Sequence, residues 1–263
     1  MASFSGKVAL VTGGTQGMGL VSAVALAKAG ATVVIAGRDV EKGKAAAAQA
    51  SAEVGRPVHY LSVNTADPAS VEQMIAQLLQ NHGCLDLAFN NAGVTSPTAP
   101  MAEVSITDWQ RVIDINVNGT FYSMKYEIAA MLKSGGGAIV NNSSVAGLVA
   151  VPNQASYVAS KAAVIGLTRS AAIEYADSGD GSRPVIRVNA IAPGPILGGM
   201  NSPENLAKNP ERTARKKAFA AMNRFGTPEE VAAAVVWLLS DASSYLTGTV
   251  IPIDGGALAG RRL

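Results

Sequence analysis

Cysteine and histidine are almost missing from this chain of 263 residues, which has one cysteine, Cys84, and two histidines, His59 and His82. A single cysteine excludes a disulfide within the chain and is typical of a reducing compartment. The sequence contains neither an HExxH nor a CxxC spacing, so it predicts no metal site.

Charge and long apolar runs are also scarce. Only 15% of the residues are charged and the formal net charge is +2. With no dense stripe of Lys and Arg interleaved with aromatic residues, the sequence predicts no nucleic-acid partner. No apolar run approaches the roughly 20 residues that cross a bilayer, and the N-terminus does not resemble a signal peptide. We therefore expect a soluble, cytoplasmic protein without a membrane contact.

Short β-branched runs alternate with longer Ala-rich segments that have a helical pattern. The apolar runs are KVALVTG, TVVIAG, VHYLSV, LDLAFNNAG, GAIVNNSS, IRVNAIAPG and TVIPIDGG. Alternation of this kind is typical of βαβ units, and strands that are apolar on both faces indicate a parallel sheet between two layers of helices. No linker divides the chain. We predict one α/β domain over residues 1–263, a Rossmann-type, doubly wound parallel sheet of seven strands.

Two connections are long. Residues 193–230 follow the carboxyl end of a strand and are rich in Gly and Pro before they become helical. Ligands bind at this edge of open α/β sheets, so we predict that residues 195–225 form a substrate lid. The basic residues at 208–224 are interpreted as a solvated helix face, with attraction of an anionic substrate or acyl carrier as the alternative. Residues 177–184 indicate a surface loop.

The segment VALVTGGTQGMGLVSAVALAKAGA has the order strand, glycine turn, helix. Gly13, Gly17 and Gly19 permit a tight turn and a close approach of the backbone to a phosphate. The N-terminus of the following helix offers N–H groups to an anion. The pattern predicts a dinucleotide diphosphate site, and an ordinary strand-to-helix turn is the alternative.

The next strand ends in Gly37, Arg38 and Asp39. A guanidinium with no carboxylate before it favours the 2′-phosphate of NADP(H) over NAD(H), because Arg pairs with a phosphate and Gly37 leaves space beside it. A solvated side chain is the alternative for Arg38. For Asp39 we favour a helix N-cap over ribose recognition.

Tyr157 and Lys161 stand one helical turn apart in YVASK and project from the same face. A nearby ammonium stabilises phenolate and lowers the pKa of tyrosine from about 10 towards the range of a useful base. An exposed ring over a lysine stem is the alternative.

Ser144 follows a strand and could hold a carbonyl oxygen, or be a turn serine. Asn116 interrupts a helical pattern and could bind a water, or be a capping or surface amide.

The whole chain resembles the compact, single-domain branch of the short-chain dehydrogenase/reductase family. The motifs that carry the resemblance occur in the family's order and spacing: TGGTQGMG, NNAG, NVNG, NSSVAG, YVASK, VNAIAPG, GTPEEVA and LTGTVIPIDGG. The resemblance implies an NADP(H)-dependent oxidoreductase, with NAD(H) as the other cofactor, that moves a hydride between nicotinamide and a small carbonyl or secondary alcohol. It also implies a homotetramer, formed through helices such as the one from Ala155 to about Tyr175, which is rich in small residues.

The resemblance also implies roles for individual residues. Tyr157 is the acid/base at the substrate oxygen, Lys161 lowers its pKa and binds the nicotinamide ribose, Ser144 orients the carbonyl, and Asn116 holds a water of a proton relay. The implied cofactor contacts are Gly13, Thr15, Gln16, Gly17, Met18, Gly19, Arg38, Asn64, Thr65, Asn90, Ala92, Gly93, Tyr157, Lys161, Pro193, Gly194 and Ile196.

The chain departs from the family pattern at three places. Asn64 stands where most members carry Asp, Gly198 is near the place of a frequent threonine, and the loop 177–184 is longer than usual. Two other functions stay open. One is a reductase of 3-oxoacyl thioesters on an acyl carrier protein. The other is a non-catalytic redox sensor or scaffold, which would be expected to lose Tyr157, Lys161 or Ser144.

Overall fold

A computed structural model of the chain describes residues 3–177, 181, 183–199 and 201–260. In this part of the chain seven strands form one parallel sheet in the order β3-β2-β1-β4-β5-β6-β7. The strands are β1 (Val8–Thr12), β2 (Thr32–Gly37), β3 (Val58–Ser62), β4 (Leu87–Asn90), β5 (Gly137–Asn142), β6 (Ile186–Pro193) and β7 (Val250–Ile253). The predicted doubly wound sheet is confirmed.

Helices cover both faces of the sheet. Over the described residues they are α1 (Gly17–Lys28), α2 (Val40–Val54), α3 (Pro68–His82), α4 (Ile106–Ile113), α5 (Gly119–Ser134), α6 (Ala155–Tyr175), α7 (Pro203–Ala207), α8 (Pro210–Phe219) and α9 (Pro228–Leu239). The predicted helix over 155–175 is confirmed. None of the helices in the described part is both long and apolar enough to cross a membrane.

The core consists of two apolar layers, one on each face of the sheet. Alternate residues of a strand face opposite sides, so Val11 of β1 packs in one layer and Leu10 in the other. The first layer also contains Val235 of α9, and the second contains Met74 of α3 and Met131 of α5. All five side chains are almost fully buried. Both faces are covered, which is why the strands are apolar at nearly every position.

The strand order reverses between β1 and β4, and this places a crevice at their carboxyl ends. Three of the predicted motifs meet there. The glycine turn follows β1, the NNAG segment follows β4, and Ser144 follows β5. The topology therefore brings residues that are more than 100 positions apart to one edge of the sheet.

The predicted lid segment, residues 195–225, leaves β6 and contains α7 and α8. Its two ends are held together, because Ile196 and Gly226 form an isolated parallel bridge. Arg224 donates two hydrogen bonds, of 2.6 and 2.9 Å, to the carboxylate of Glu230 at the start of α9. Of the predicted loop 177–184, residues 178–180 and 182 lie outside the described residues.

Candidate active site

A cleft of about 750 Å³ lies at the carboxyl edge of the sheet. Its walls come from the turn after β1, the segment after β4, the end of β5, the start of α6 and the segment after β6. Thirteen of the predicted site residues line it: Gly13, Thr15, Gln16, Gly17, Met18, Ala92, Gly93, Ser144, Tyr157, Lys161, Pro193, Gly194 and Ile196. The structure thus brings three catalytic candidates and most cofactor candidates together.

The glycine turn is closely packed at Gly13 and Gly19, where a side chain would not fit. Gly13 has a φ of +61°, and a Cβ there would lie 2.8 Å from Cα of Ala92. A Cβ on Gly19 would lie 2.3 Å from the carbonyl oxygen of Gly13. The first turn of α1 contains no acidic residue, and Gln16 makes no capping bond with its side chain. A narrow turn beside a helix N-terminus without a side-chain acceptor fits a diphosphate.

Arg38 is exposed at the end of β2 and makes no hydrogen bond or ion pair with the described residues. A Cβ on Gly37 would lie 2.9 Å from Cγ2 of Thr15, so glycine at this position leaves room for the Thr15 side chain, and space for a phosphate beside Gly37 stays a prediction. Asp39 caps α2, and its side chain accepts a hydrogen bond of 3.1 Å from the amide of Lys42. The N-cap interpretation of Asp39 is confirmed.

Five of the predicted cofactor residues do not line the cleft: Gly19, Arg38, Asn64, Thr65 and Asn90. Asn64 is exposed and accepts a hydrogen bond from the amide of Ala66. Thr65 is buried against Gly119, at the start of α5. The side chain of Asn90 is turned into the core, where it donates to Glu127 and Asn141. Contacts of these five residues with a cofactor stay predictions.

Tyr157 and Lys161 lie on the first turns of α6. Nζ of Lys161 is 5.7 Å from the centre of the Tyr157 ring and donates a hydrogen bond of 2.7 Å to the carbonyl oxygen of Asn142. Lys161 is only 4% exposed, and burial lowers its pKa to about 8. Burial raises the pKa of Tyr157, and a hydrogen bond with Ser144 opposes part of this rise. The expected lowering of the phenol pKa by Lys161 is therefore wrong for this structure, because desolvation is the larger effect.

The two adjacent serines have different surroundings. Oγ of Ser144 accepts a hydrogen bond of 3.1 Å from the amide of Ala146 and caps the 3₁₀ turn Val145–Gly147. Oγ of Ser143 donates to the carbonyl oxygen of Lys161 at 2.8 Å and so ties β5 to α6. This geometry favours Ser144 as the residue that holds a substrate oxygen, with Ser143 as its structural neighbour.

Asn116 lies in a short π-helical stretch, Asp114–Asn118, between α4 and α5. The predicted irregularity in the helical pattern is thus present. Asn116 is 1% exposed, so the alternative of a surface amide is wrong. Its side chain accepts from the amide of Val94 at 2.8 Å and donates to the Val94 carbonyl at 2.9 Å. It also donates to Ser160 of α6. Asn116 therefore fixes the segment after β4 to the helix that carries Tyr157.

Two asparagines in the walls of the cleft were not predicted. Nδ2 of Asn91 donates to the carbonyl oxygen of Gly13 at 3.0 Å, and Nδ2 of Asn142 donates to Oδ1 of Asn91 at 2.9 Å. These bonds connect the glycine turn to the residue whose carbonyl holds Lys161. The doubled asparagines at 90–91 and 141–142, each at a strand end, were the signal in the sequence. Arg111, which lies on the rim and donates to the carbonyl of Thr95, was also missed.

A second cavity, of about 500 Å³, lies under α7 and α8. Leu197 lines both this cavity and the cleft. The other residues around the second cavity are mostly apolar: Leu206, Ala207, Pro210, Thr213, Ala214, Lys217 and Phe225. The predicted lid segment thus provides apolar surface next to the catalytic candidates.

A doubly wound sheet, a glycine turn at a helix N-terminus and a tyrosine–lysine pair in one cleft define a dinucleotide-binding protein of the Rossmann type. Gly13 and Gly19 leave no room for a side chain in the turn, which stands at a helix N-terminus, and the cleft offers amide, hydroxyl and ammonium groups to ribose and nicotinamide. These residues fit a nicotinamide dinucleotide.

Comparison with known proteins gives the same answer. Residues 13–257 match the sequence profile of a family described as enoyl-(acyl carrier protein) reductase. A cyclohexanol dehydrogenase of Acinetobacter sp. (strain SE19) is 40% identical over 256 residues, which cover 96% of this chain and 95% of that protein. A cis-4-hydroxycyclohexanecarboxylate dehydrogenase of Sinomonas cyclohexanicum is 38% identical over 261 residues, 98% of each chain.

The crystal structure of a levodione reductase superposes with a TM-score of 0.88 at 35% identity, covering 98% of this chain and 99% of the other. The chain belongs to the short-chain dehydrogenase/reductase family. It is therefore an oxidoreductase whose family uses a nicotinamide dinucleotide.

Proposed function

We propose that this oxidoreductase transfers a hydride reversibly between NADP(H) and the carbonyl or secondary alcohol of a small cyclic substrate, with Tyr157 as the acid/base. The observation that carries the proposal is the convergence of Tyr157, Lys161 and Ser144 in the cleft that also contains the glycine turn. Such a site holds the reacting groups in place and stabilises charge on the substrate oxygen.

The cofactor, when bound, supplies or accepts the hydride. Tyr157 gives a proton to the substrate oxygen during reduction and removes it during oxidation. Ser144 donates a hydrogen bond to the same oxygen. Lys161 is mostly an ammonium at neutral pH, because its pKa is about 8, and its proposed role is to bind the ribose of the nicotinamide. For Asn116 the proposed role is to hold a water of a proton relay.

Arg38 supports NADP(H) as the preferred cofactor. It is exposed at the end of β2, and none of the described carboxylates pairs with it, so its guanidinium is available to a 2′-phosphate. Asp39, the residue that could select NAD(H), is occupied as the cap of α2.

Two observations support a cyclic substrate: the second cavity, under α7 and α8, is mostly apolar, and two relatives are named for cyclic alcohols. Both the cyclohexanol dehydrogenase and the cis-4-hydroxycyclohexanecarboxylate dehydrogenase are named for alcohols on a six-membered carbon ring. In this chain Leu197 joins the cleft to the apolar cavity under α7 and α8. We infer that the ring packs against this apolar surface while its oxygen meets Tyr157 and Ser144.

The test is a panel of cyclic ketones, acyclic ketones and 3-oxoacyl thioesters, each assayed with NADPH and with NADH. We expect the highest kcat/KM for a six-membered cyclic ketone with NADPH. A clear preference for the thioester would replace the substrate proposal by the acyl-thioester alternative. A preference for NADH would overturn the role of Arg38 alone.

We also propose that the protein is a cytoplasmic homotetramer. Large apolar side chains are exposed on several elements: Phe121 on α5, Ile173 on α6, Trp237 on α9 and Tyr245 after it. Exposed apolar side chains on helices suit contacts between copies of the chain. Analytical ultracentrifugation would give the mass of four chains, and a single chain at micromolar concentration would contradict the proposal.

A further inference from the structure

Behind the cleft, a buried carboxyl group faces the carboxyl end of β4. Glu127 of α5 is 0% exposed, and its Oε2 accepts a hydrogen bond of 2.8 Å from Nδ2 of Asn90. No Lys, Arg or His among the described residues pairs with it. A buried, unpaired carboxylate is costly, so the protonation state of Glu127 needs an explanation.

A chain of hydrogen bonds fixes the orientation of the amides around Glu127. Thr168 of α6 donates its hydroxyl proton to the backbone carbonyl of Val164 at 2.8 Å, so its oxygen accepts from Nδ2 of Asn141 at 2.9 Å. Oδ1 of Asn141 must then point the other way, where it accepts from Nδ2 of Asn90 at 3.1 Å. A backbone carbonyl can only accept, and therefore the direction of every bond in this chain is determined.

Two oxygen atoms at the end of this series of hydrogen bonds have no donor. Oδ1 of Asn90 and Oε1 of Glu127 are both buried, and neither has a hydrogen-bond partner among the described residues. Both groups would be acceptors if Glu127 were ionised, and two unsatisfied buried acceptors are destabilising. A proton on Oε1 of Glu127 would make this oxygen a hydrogen-bond donor, and Oδ1 of Asn90 is the buried acceptor that lacks a donor.

We propose that Glu127 is a neutral carboxylic acid that donates its proton to Oδ1 of Asn90, and that this acid–amide pair positions residues 90–93 in the wall of the cofactor cleft. Asn90 is the last residue of β4, directly before Asn91, Ala92 and Gly93, which line the cleft. The same network reaches β5 through Asn141 and α6 through Thr168. Glu127 is thus a positioning residue, which acts through Asn90.

The surroundings of Glu127 agree with a bound proton. Burial raises its pKa to about 7, although the hydrogen bond from Asn90 opposes the rise. The groups that contact it through this network from β4, β5 and α6 are Asn90, Asn141 and Thr168, and none of them titrates. On α3, which also packs against α5, Glu72 is exposed and accepts a hydrogen bond from the hydroxyl of Tyr126. Deprotonation of Glu127 is therefore the event that would break the pair as the pH rises.

Glu127→Gln is the decisive variant, because its amide can keep both hydrogen bonds without a titrating proton. Glu229→Gln, on the exposed first turn of α9, is the matched control for loss of one carboxylate. The equilibrium constant for unfolding, measured with urea, should increase from pH 5.5 to pH 8.5 at least tenfold more in the wild type than in Glu127→Gln. The control should follow the wild type. If the unfolding constant changes with pH by the same factor in all three proteins, the proposal is overturned.

Infrared difference spectra test the proton directly and do not depend on any variant's stability at high pH. The wild type should show the carbonyl band of a buried carboxylic acid at pH 5.5, which fades at pH 8.5. If Glu127→Gln fails to fold, this pH titration of the wild type still decides the question. A wild-type spectrum without that band at pH 5.5 would contradict the proposal.

The effect on cofactor binding rests on the proposed function and has its own readout. We expect the Kd for NADPH, measured by fluorescence quenching, to increase at least threefold more between pH 5.5 and 8.5 in the wild type than in Glu127→Gln. Dividing the change in Kd of the wild type by that of Glu127→Gln cancels the effect of 2′-phosphate titration, because the same NADPH binds to both proteins. If the wild type binds neither NADPH nor NADH, the proposed function fails. Equal ratios in both proteins would instead contradict the positioning role alone.

Discussion

Lys161 holds its ammonium against the carbonyl oxygen of Asn142 at 2.7 Å, and no carboxylate among the described residues takes part. The charge is therefore positioned by a neutral acceptor at the end of β5. Its burial lowers the pKa of Lys161 to about 8, from an ordinary value of 10.5. This contact places a titrating group at the centre of the proposed active site.

The buried ammonium should make stability depend on pH. Between pH 8 and 10.5 the unfolded chain binds more protons at this site than the folded chain, so the free energy of unfolding of the wild type should rise across this window. Lys161→Met removes the effect. Urea unfolding should show that the difference between wild type and Lys161→Met changes by about 2 kcal/mol from pH 7.5 to 9.5. A difference independent of pH would contradict the lowered pKa.

Tyr157→Phe tests the acid/base assignment. The phenyl ring keeps the shape of the cleft but cannot exchange a proton, so kcat should fall by roughly 100-fold or more. The Kd for NADPH should stay within about threefold of the wild type, since the glycine turn is unchanged. Stopped-flow measurement of NADPH oxidation and fluorescence titration give the two values. Turnover at the wild-type rate would exclude Tyr157 as the proton donor.

Arg38→Leu tests the cofactor preference. Loss of a charge-assisted hydrogen bond to the 2′-phosphate should lower kcat/KM for NADPH by roughly 10- to 100-fold. The value for NADH should change little. Arg56→Leu, which removes an exposed arginine between α2 and β3, is the matched control. An equal loss with both cofactors would point to a structural role of Arg38.

Gly19→Ala tests the close packing of the glycine turn. The added Cβ would lie 2.3 Å from the Gly13 carbonyl oxygen and 2.6 Å from Nδ2 of Asn91, so the backbone must shift. We expect a loss of about 1–3 kcal/mol in stability and weaker NADPH binding. Gly166→Ala, in α6, is the control, because nothing lies within 4 Å of its Cβ position. It should stabilise the helix by up to about 1 kcal/mol. Similar effects of both substitutions would argue against the packing explanation.

Much of the fold was predictable from local patterns. The strands are apolar on both faces because two layers of helices cover them, and that leaves continuous β-branched runs in the sequence. Asp39 was predictable as a cap because a carboxylate directly before a helical segment accepts from its first amides, as Lys42 shows. The helix over 155–175 follows from an uninterrupted run without Pro.

Contacts between distant segments were less predictable. Asn91 and Asn142 are 51 positions apart, and only the neighbouring positions of β4 and β5 in the sheet bring their side chains together. The pKa of Tyr157 was misjudged for the same reason, because spacing reveals Lys161 but not the extent of burial.

Glu127 could have been found from the sequence. It stands three residues after Met124 and four before Met131, and this spacing places a carboxylate on the buried face of α5. A charged residue in such a position indicates either a partner or a bound proton. The structure shows which groups surround it.

The lid segment leaves the sheet and returns to it at almost the same point, because Ile196 pairs with Gly226 and the amide of Leu197 donates to the Gly226 carbonyl at 2.9 Å. A loop whose ends are joined in this way can change in length or sequence without displacing a strand. It is thus an exchangeable module. Evolution, or a protein engineer, can replace the surface that meets the substrate while Tyr157 and the glycine turn stay where they are.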